Sequence, residues 1–267
     1  MTKITRKIYL KDFVFKQKCI PWSIRAKWKS LMLQISAQWV RLKPFLNLFW
    51  KTFPENPINA IRFFPKLVRD EISDHGFVLF VCGQKVLEDA LEASQGIGLK
   101  PFLVLGTLRG FILKKDFLPR SEDIDFGLLS EDFQKKHLIK EILLKKGYKH
   151  CIDDAWQLQL VHPKFPDLVI DFFHVYKKNG CMVISGLTDD HKMLTSCYFP
   201  PETFYEFCMV DFRLRKVLIP SDPEKFLSVH YGEEWKNPQR KFHYRYERKN
   251  MKIEAISPDN PEIREKV

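Results

Sequence analysis

Residues 102–129 read FLVLGTLRGFILKKDFLPRSEDIDFGLL, and both architecture and chemistry turn on this stretch. Its last third sets Asp123 and Asp125 on either side of Ile124. Side chains alternate along a strand, so the two carboxylates project from one face while Ile124 and Phe126 project from the other. Upstream, Phe102 to Leu105 reads as a buried strand that breaks at Gly106 and Thr107. It gives way to a short helix through Leu108, Arg109, Gly110, Phe111 and Ile112. A strand that turns through a Gly-polar pair into a helix offers backbone N–H groups to a phosphate.

An isolated Asp-x-Asp is ordinarily a solvated strand end. Here a further apolar run, Leu168 to His174, is interrupted by Asp171. A charge inside an apolar run is costly to bury unless a metal or a base accompanies it. Asp171 is therefore expected on a strand beside that of Asp123, where three carboxylates converge on a divalent cation. His174 lies three residues further on, falls on the opposite face, and reads as structural.

In this order the residues resemble the LicD/fukutin family, whose pattern is G-T-L-L-G, a basic segment, F-I-P, then an acidic run ending D-[IV]-D. Gly106 to Gly110, Phe117 to Pro119 and Asp123 to Asp125 fall at matching spacing. The likeness is greatest to the fukutin-like branch, through Ser121 and through Tyr231, Gly232 and Trp235, and it spans residues 84–245. The resemblance implies an α+β fold, a nucleotidyltransferase-like mixed β-sheet flanked by helices. It also implies a phosphotransferase dependent on Mg²⁺ (or Mn²⁺), which moves ribitol phosphate or phosphocholine from a CDP-activated alcohol donor to a hydroxyl of a glycan or lipid-linked saccharide. Asp123, Asp125 and Asp171 would hold the metal, with Asp171 either completing a second site or taking the acceptor's proton. Gly106, Thr107, Arg109, Lys114 and Lys115 would bind the donor phosphates. Two positions depart from the pattern: Leu113 stands where many relatives carry Arg, and Asp116 where the usual residue is Gly. Two other readings stay open, a template-independent nucleotidyltransferase acting on RNA and a non-catalytic adaptor on a transferase fold, although nucleic acid is the less expected partner.

The net charge of +11 is unevenly placed. Residues 1–66 hold fourteen Lys/Arg against Asp12 and Glu55, whereas the remainder is nearly balanced. Apolar residues from Ile24 through Trp28, Leu31, Ile35 and Trp39 to Phe53 recur at helical steps beside cations, with Pro44 dividing the stripe. Such a segment either packs on a protein surface or lies in a headgroup layer, so an anionic membrane surface is an expected partner of residues 1–53. No run of eighteen apolar residues occurs, and Lys11, Lys16 and Lys18 break the stretch a signal peptide would need. The six cysteines form no C-x-x-C pair and read as free thiols. These features together lead to the expectation of a cytoplasmic enzyme docked on the inner face of a membrane.

The expected organisation is a basic amphipathic helical appendage at 1–66, a catalytic domain at 67–250 and a disordered tail at 251–267. Within the domain, Gly76 to Cys82 reads as a short strand and Gln84 to Ser94 as a helix stopped by Gly96 and Gly98. Ser130 is expected to cap a helix from Glu131 to Lys146. Asn179 and Gly180, between apolar runs, signal a hairpin, and a strand pair is expected at 207–212 and 217–220. Ser221 to Glu224 has capping-box spacing for a further helix. Aromatic and basic residues alternate over 240–249 as a second basic stretch.

Overall fold

The computed structural model describes residues 44–68, 71, 73–166, 168–187, 193–237 and 250–255. The expectations for the rest of the N-terminal stripe, the basic stretch at 240–249 and residues 257–267 lie outside the described residues. The chain divides into two compact units, Met1–Lys51 and Thr52–Val267. Residues 44–52 are helical.

Helix α1 (Pro57–Val68) packs on α2 (Asp74–Gln95). Its inward face carries Ala60, Phe63 and Leu67, with the Phe63 ring stacked 4.5 Å from that of Phe80. The α2 helix corrects the strand expected at Gly76 to Cys82. Ser73 caps it by accepting from the Gly76 N–H at 3.0 Å, and Asp74 complements the positive end of its dipole. Once started, the helix runs on through Phe77, Val78, Leu79, Phe80 and Val81, all buried, because a helix enclosed on every side is apolar all round and loses the periodicity that would reveal it. Gly76 lets the Pro119 carbonyl approach the helix backbone more closely than any Cβ would allow.

Strand β1 (Phe102–Leu103) is brief, since Leu105 already opens α3 (Leu105–Lys114). After it come β2 (Asp123–Leu129), a helical turn α4 (Ser130–Phe133), α5 (Lys136–Lys145), β3 (Lys149–Asp153), β4 (Gln157–Val161), β5 (Val169–Lys178), β6 (Cys181–Leu187) and β7 (Met193–Phe199). The helix expected from Glu131 to Lys146 is thus interrupted at Gln134 and Lys135. Ser130 does not cap it but bonds His174 Nε2 through its hydroxyl at 2.9 Å. Next are β8 (Phe207–Phe212), β9 (Arg215–Pro220), α6 (Pro223–Tyr231) and β10 (Met251–Ala255). Asp222, rather than Ser221, caps α6 by accepting from the Lys225 N–H at 3.0 Å. Residues 251–255, expected in a tail, instead pair antiparallel with β7.

The result is α+β, with one mixed sheet in the order β10-β7-β6-β5-β2-β1-β9-β8. Strand β5 is its hub. It runs parallel to β2 on one side, and on the other it pairs with β4 along its first half and β6 along its second. The β5–β6 turn is the expected hairpin, with Asn179 and Gly180 both at positive φ (51° and 78°). One face of β2 and β5 carries Ile124, Phe126, Ile170 and Phe172, fully buried, with Phe126 stacked on Phe172 at 5.3 Å. Burial of each such side chain contributes about 2–3 kcal/mol, which fixes the face that Asp123, Asp125 and Asp171 must occupy. Cys82, Cys151, Cys181 and Cys208 are free thiols. Among the described residues no helix is long and apolar enough to cross a membrane.

Candidate metal centre

Parallel pairing sets Asp125 directly beside Asp171, with Asp123 two residues before Asp125 on the same face of β2. Each of the three offers a carboxylate oxygen within 4.8 Å of the others'. The alternation read from Asp123 to Phe126 and the break in the apolar run at Asp171 therefore converge on one point.

The turn into α3 builds the next wall. Leu105 adopts φ 45°, a left-handed conformation that costs a non-glycine residue energy and is found where geometry is held for a purpose. It swings Thr107 onto Asp125. The Thr107 N–H and hydroxyl donate to Asp125 Oδ2 at 3.1 and 3.3 Å, and the Asp125 N–H lies 2.8 Å from the same hydroxyl oxygen. A Cβ on Gly106 would stand 3.2 Å from Asp125 Oδ2, so the glycine keeps this side of the carboxylate clear. Gly110 serves packing instead: its missing Cβ would lie 2.8 Å from the Asp116 carbonyl oxygen on the loop returning beneath α3.

On the opposite side, β4 contributes two residues that the sequence reading passed over. Gln157 and Gln159 each donate Nε2 to Asp171 Oδ1, at 2.6 and 3.0 Å. The signal was present in the alternation of Gln157, Leu158, Gln159 and Leu160, which puts both amides on one strand face. A cavity of about 270 Å³ opens over the carboxylates, walled further by Phe173, Ser185, Gly186 and Thr195. Ser185 belongs to a hydroxyl chain, 3.0 Å from Tyr176 Oη and 2.8 Å from Ser196 Oγ.

The electrostatics are those of crowded anions. Burial and then the charge of Glu122 push Asp123 up to about 6. Burial and the charge of Asp123 push Asp171 up to about 7, against the opposing bonds from Gln157 and Gln159. Asp125 is raised well above the usual carboxylate range by burial and by both neighbours, despite Thr107. Three carboxylates, two buried and that of Asp123 half-buried, with raised proton affinity and all-oxygen donors, fit a hard divalent cation, whose charge offsets this repulsion.

The remaining expected substrate contacts are not brought to the cluster. Arg109 is buried and donates Nε to the Trp235 carbonyl and Nη2 to the Asn237 carbonyl, each at 2.9 Å, with its guanidinium over Tyr231. It ties α3 to the segment after α6 and does not line the cavity. Lys114 and Lys115 stand at the far end of α3, about 15 Å along a ten-residue helix from Leu105. The Lys115 ammonium lies 4.2 Å from the centre of the Phe111 ring. Asp116, the departure noted above, pairs with Arg213. His174 lies on the opposite face, stacked on Phe133 and bonded to Ser130 and the Ala155 carbonyl.

Comparison with known proteins finds likenesses over this same stretch. Residues 98–222 match the family model described as LicD/FKTN/FKRP, nucleotidyltransferase domain. Ribitol-5-phosphate transferase FKTN of Macaca fascicularis is 22% identical over 178 residues, covering 66% of this chain and 38% of the relative. An uncharacterized protein of Caenorhabditis elegans is 27% identical over 175 residues, covering 59% of this chain and 44% of the relative. The chain thus spans less than half the length of these curated relatives. The solution structure of the antibiotic-resistance factor ANT(2'')-Ia is similar at 14% identity and a TM-score of 0.37, over 61% of this chain and 78% of that one. The residues that match this family model contain Gly106, Thr107 and all three clustered aspartates, so the likeness to the LicD/FKTN/FKRP nucleotidyltransferase domain falls on the carboxylate cluster itself.

Proposed function

We propose that the chain is a metal-dependent phosphotransferase that moves a phospho-alcohol, of the ribitol phosphate or phosphocholine type, from a CDP-activated donor to a hydroxyl of a glycan or glycolipid. The observation that carries this reading is the set of three carboxylates within 4.8 Å beside the Thr107 turn, inside the matched domain. Asp123, Asp125 and Asp171 would hold Mg²⁺ or Mn²⁺, which supplies charge neutralisation for a diphosphate and its leaving group.

The chain's own residues do the rest. Thr107 fixes Asp125 through its N–H and hydroxyl, so this carboxylate needs no reorientation as negative charge approaches. Gln157 and Gln159 occupy Asp171 Oδ1 and set the carboxylate plane, which leaves Oδ2 either to complete the metal site or to take the proton of the attacking hydroxyl. The N-terminus of α3, where Leu105 and Gly106 border the cavity, would meet the donor phosphates. Phe173 and the Ser185 hydroxyl chain form the opposite wall, where an alcohol or saccharide hydroxyl finds both an apolar surface and hydrogen-bond partners.

The test is to incubate the chain and Mg²⁺ or Mn²⁺ with CDP-ribitol, CDP-choline, CDP-glycerol, CTP or ATP, in the presence of saccharide acceptors or RNA. Release of CMP with transfer of the phospho-alcohol to the saccharide as a phosphodiester supports the proposal. Release of pyrophosphate with RNA extension replaces it by nucleotide addition, and absence of both products leaves the adaptor reading.

A further inference from the structure

A second surface, independent of the transfer chemistry, lies at the far end of α3. Helix α1 turns Ala60, Phe63 and Leu67 inward, yet its outer side carries Ile58 at 79% and Ile61 at 61% exposure. Beside it, the turn between β8 and β9 presents Leu214, 94% exposed. Ile58 and Leu214 border one groove of about 340 Å³. Arg62 lines the same groove, and Lys66 follows one helical turn later on α1. The acidic residue of the groove, Asp116, is neutralised by Arg213. The face is therefore apolar at its tip and cationic around it.

We infer that this face, formed by α1 and the β8–β9 turn, docks on an anionic lipid bilayer. Exposed aliphatic side chains next to Arg and Lys match an interface where hydrocarbon begins just below a layer of negative headgroups. Nucleic acid would satisfy the cations but not Ile58, Ile61 and Leu214. A second copy of this chain would set Arg62 and Lys66 against their own like charges, and the sequence of residues 1–51 is itself strongly basic. Charge complementarity thus selects the anionic surface. The carboxylate cluster opens at the other end of α3, about 15 Å away, so docking would hold the reactive cavity close above the headgroups.

The full chain is mixed with phosphatidylcholine vesicles, with or without about 30% phosphatidylserine, and sedimented. It should co-sediment with the anionic vesicles at least tenfold more strongly, and raising the salt to about 0.5 M should release most of it. Leu214→Glu and the double variant Ile58→Glu/Ile61→Glu should each lower binding by about tenfold, while Arg62→Glu/Lys66→Glu should lower the preference for phosphatidylserine several-fold. These positions are exposed, and unchanged thermal melts confirm that the variants fold. A fluorophore on Leu214→Cys should shift to the blue when anionic vesicles are added. Wild-type binding by all the variants, equal binding to neutral vesicles, no vesicle binding, or a dimer that Leu214→Glu dissociates would each overturn the assignment.

Discussion

Without a divalent cation, the contribution of the carboxylate cluster to stability should fall with rising pH, opposite to the usual behaviour of aspartates held by salt bridges. Asp171 has its proton affinity pushed up to about 7 and Asp123 to about 6, from an ordinary 3.8. Between pH 4 and 7 the unfolded chain has released these protons while the native state keeps them. The native state binds more protons over this window, so unfolding becomes easier as the pH rises through it. For Asp171 alone the loss by pH 8 is on the order of 4 kcal/mol. Asp123 does not simply add to this, because its charge is one cause of the Asp171 shift. In a domain of this size 4 kcal/mol corresponds to roughly ten degrees of Tm. His150 and His162, held below the usual imidazole range by burial, favour the native state as the pH rises past 6 and oppose the trend. The quantity to measure is therefore the Tm of wild type minus that of Asp171→Asn, in EDTA, from pH 5 to 8. It should fall by several degrees or more. Added Mn²⁺ should raise the wild-type Tm strongly at pH 8 and scarcely at pH 5, where protons compete for the same oxygens. A flat difference, or an equal Mn²⁺ effect at both pH values, would refute the reasoning.

Asp123→Asn and Asp125→Asn should each cut turnover by about a thousandfold or more while raising the Tm in EDTA at pH 8, since each removes a repelled charge. A calorimetric titration with Mn²⁺ should show the loss of affinity directly. Thr107→Val should destabilise the protein by about 1–3 kcal/mol in urea unfolding, because Asp125 loses a hydroxyl donor and its N–H a partner. Arg109→Ala should cost a similar amount while leaving the KM for the nucleotide donor unchanged; a large rise in KM would restore Arg109 to the phosphate site. Gly110→Ala should lower the Tm without touching the cluster, because its Cβ would press on the Asp116 carbonyl.

Much of the site was legible because it depends on the shortest-range rule of strand geometry. Alternation alone placed Asp123 and Asp125 together, and the cost of a charge in an apolar run brought Asp171 to them. The Asn179-Gly180 turn was equally plain, since positive φ at two successive residues has a chemical signature. The positions of Arg109, Lys114 and Lys115 were illegible for the opposite reason. Nearness in sequence to Gly106 says nothing of direction on a helix, and α3 carries the lysines away and aims Arg109 at carbonyls beyond Tyr231. Gly76 to Cys82 misled because a helix buried on all sides has no polar face to mark its period. The pairing of 251–255 with β7 depends on distant partners that no local pattern names.

The parallel pairing of β2 with β5 couples assembly to competence. Because the two strands must be joined by a long crossover through α4, α5, β3 and β4, the cluster cannot close until that whole excursion has folded. A slip of one residue in either strand would turn its aspartate into the apolar layer and its phenylalanine into water. A mispaired molecule is thus both inactive and poorly stable, and recovery of Mn²⁺ binding after dilution from urea should report the last step of refolding rather than the first.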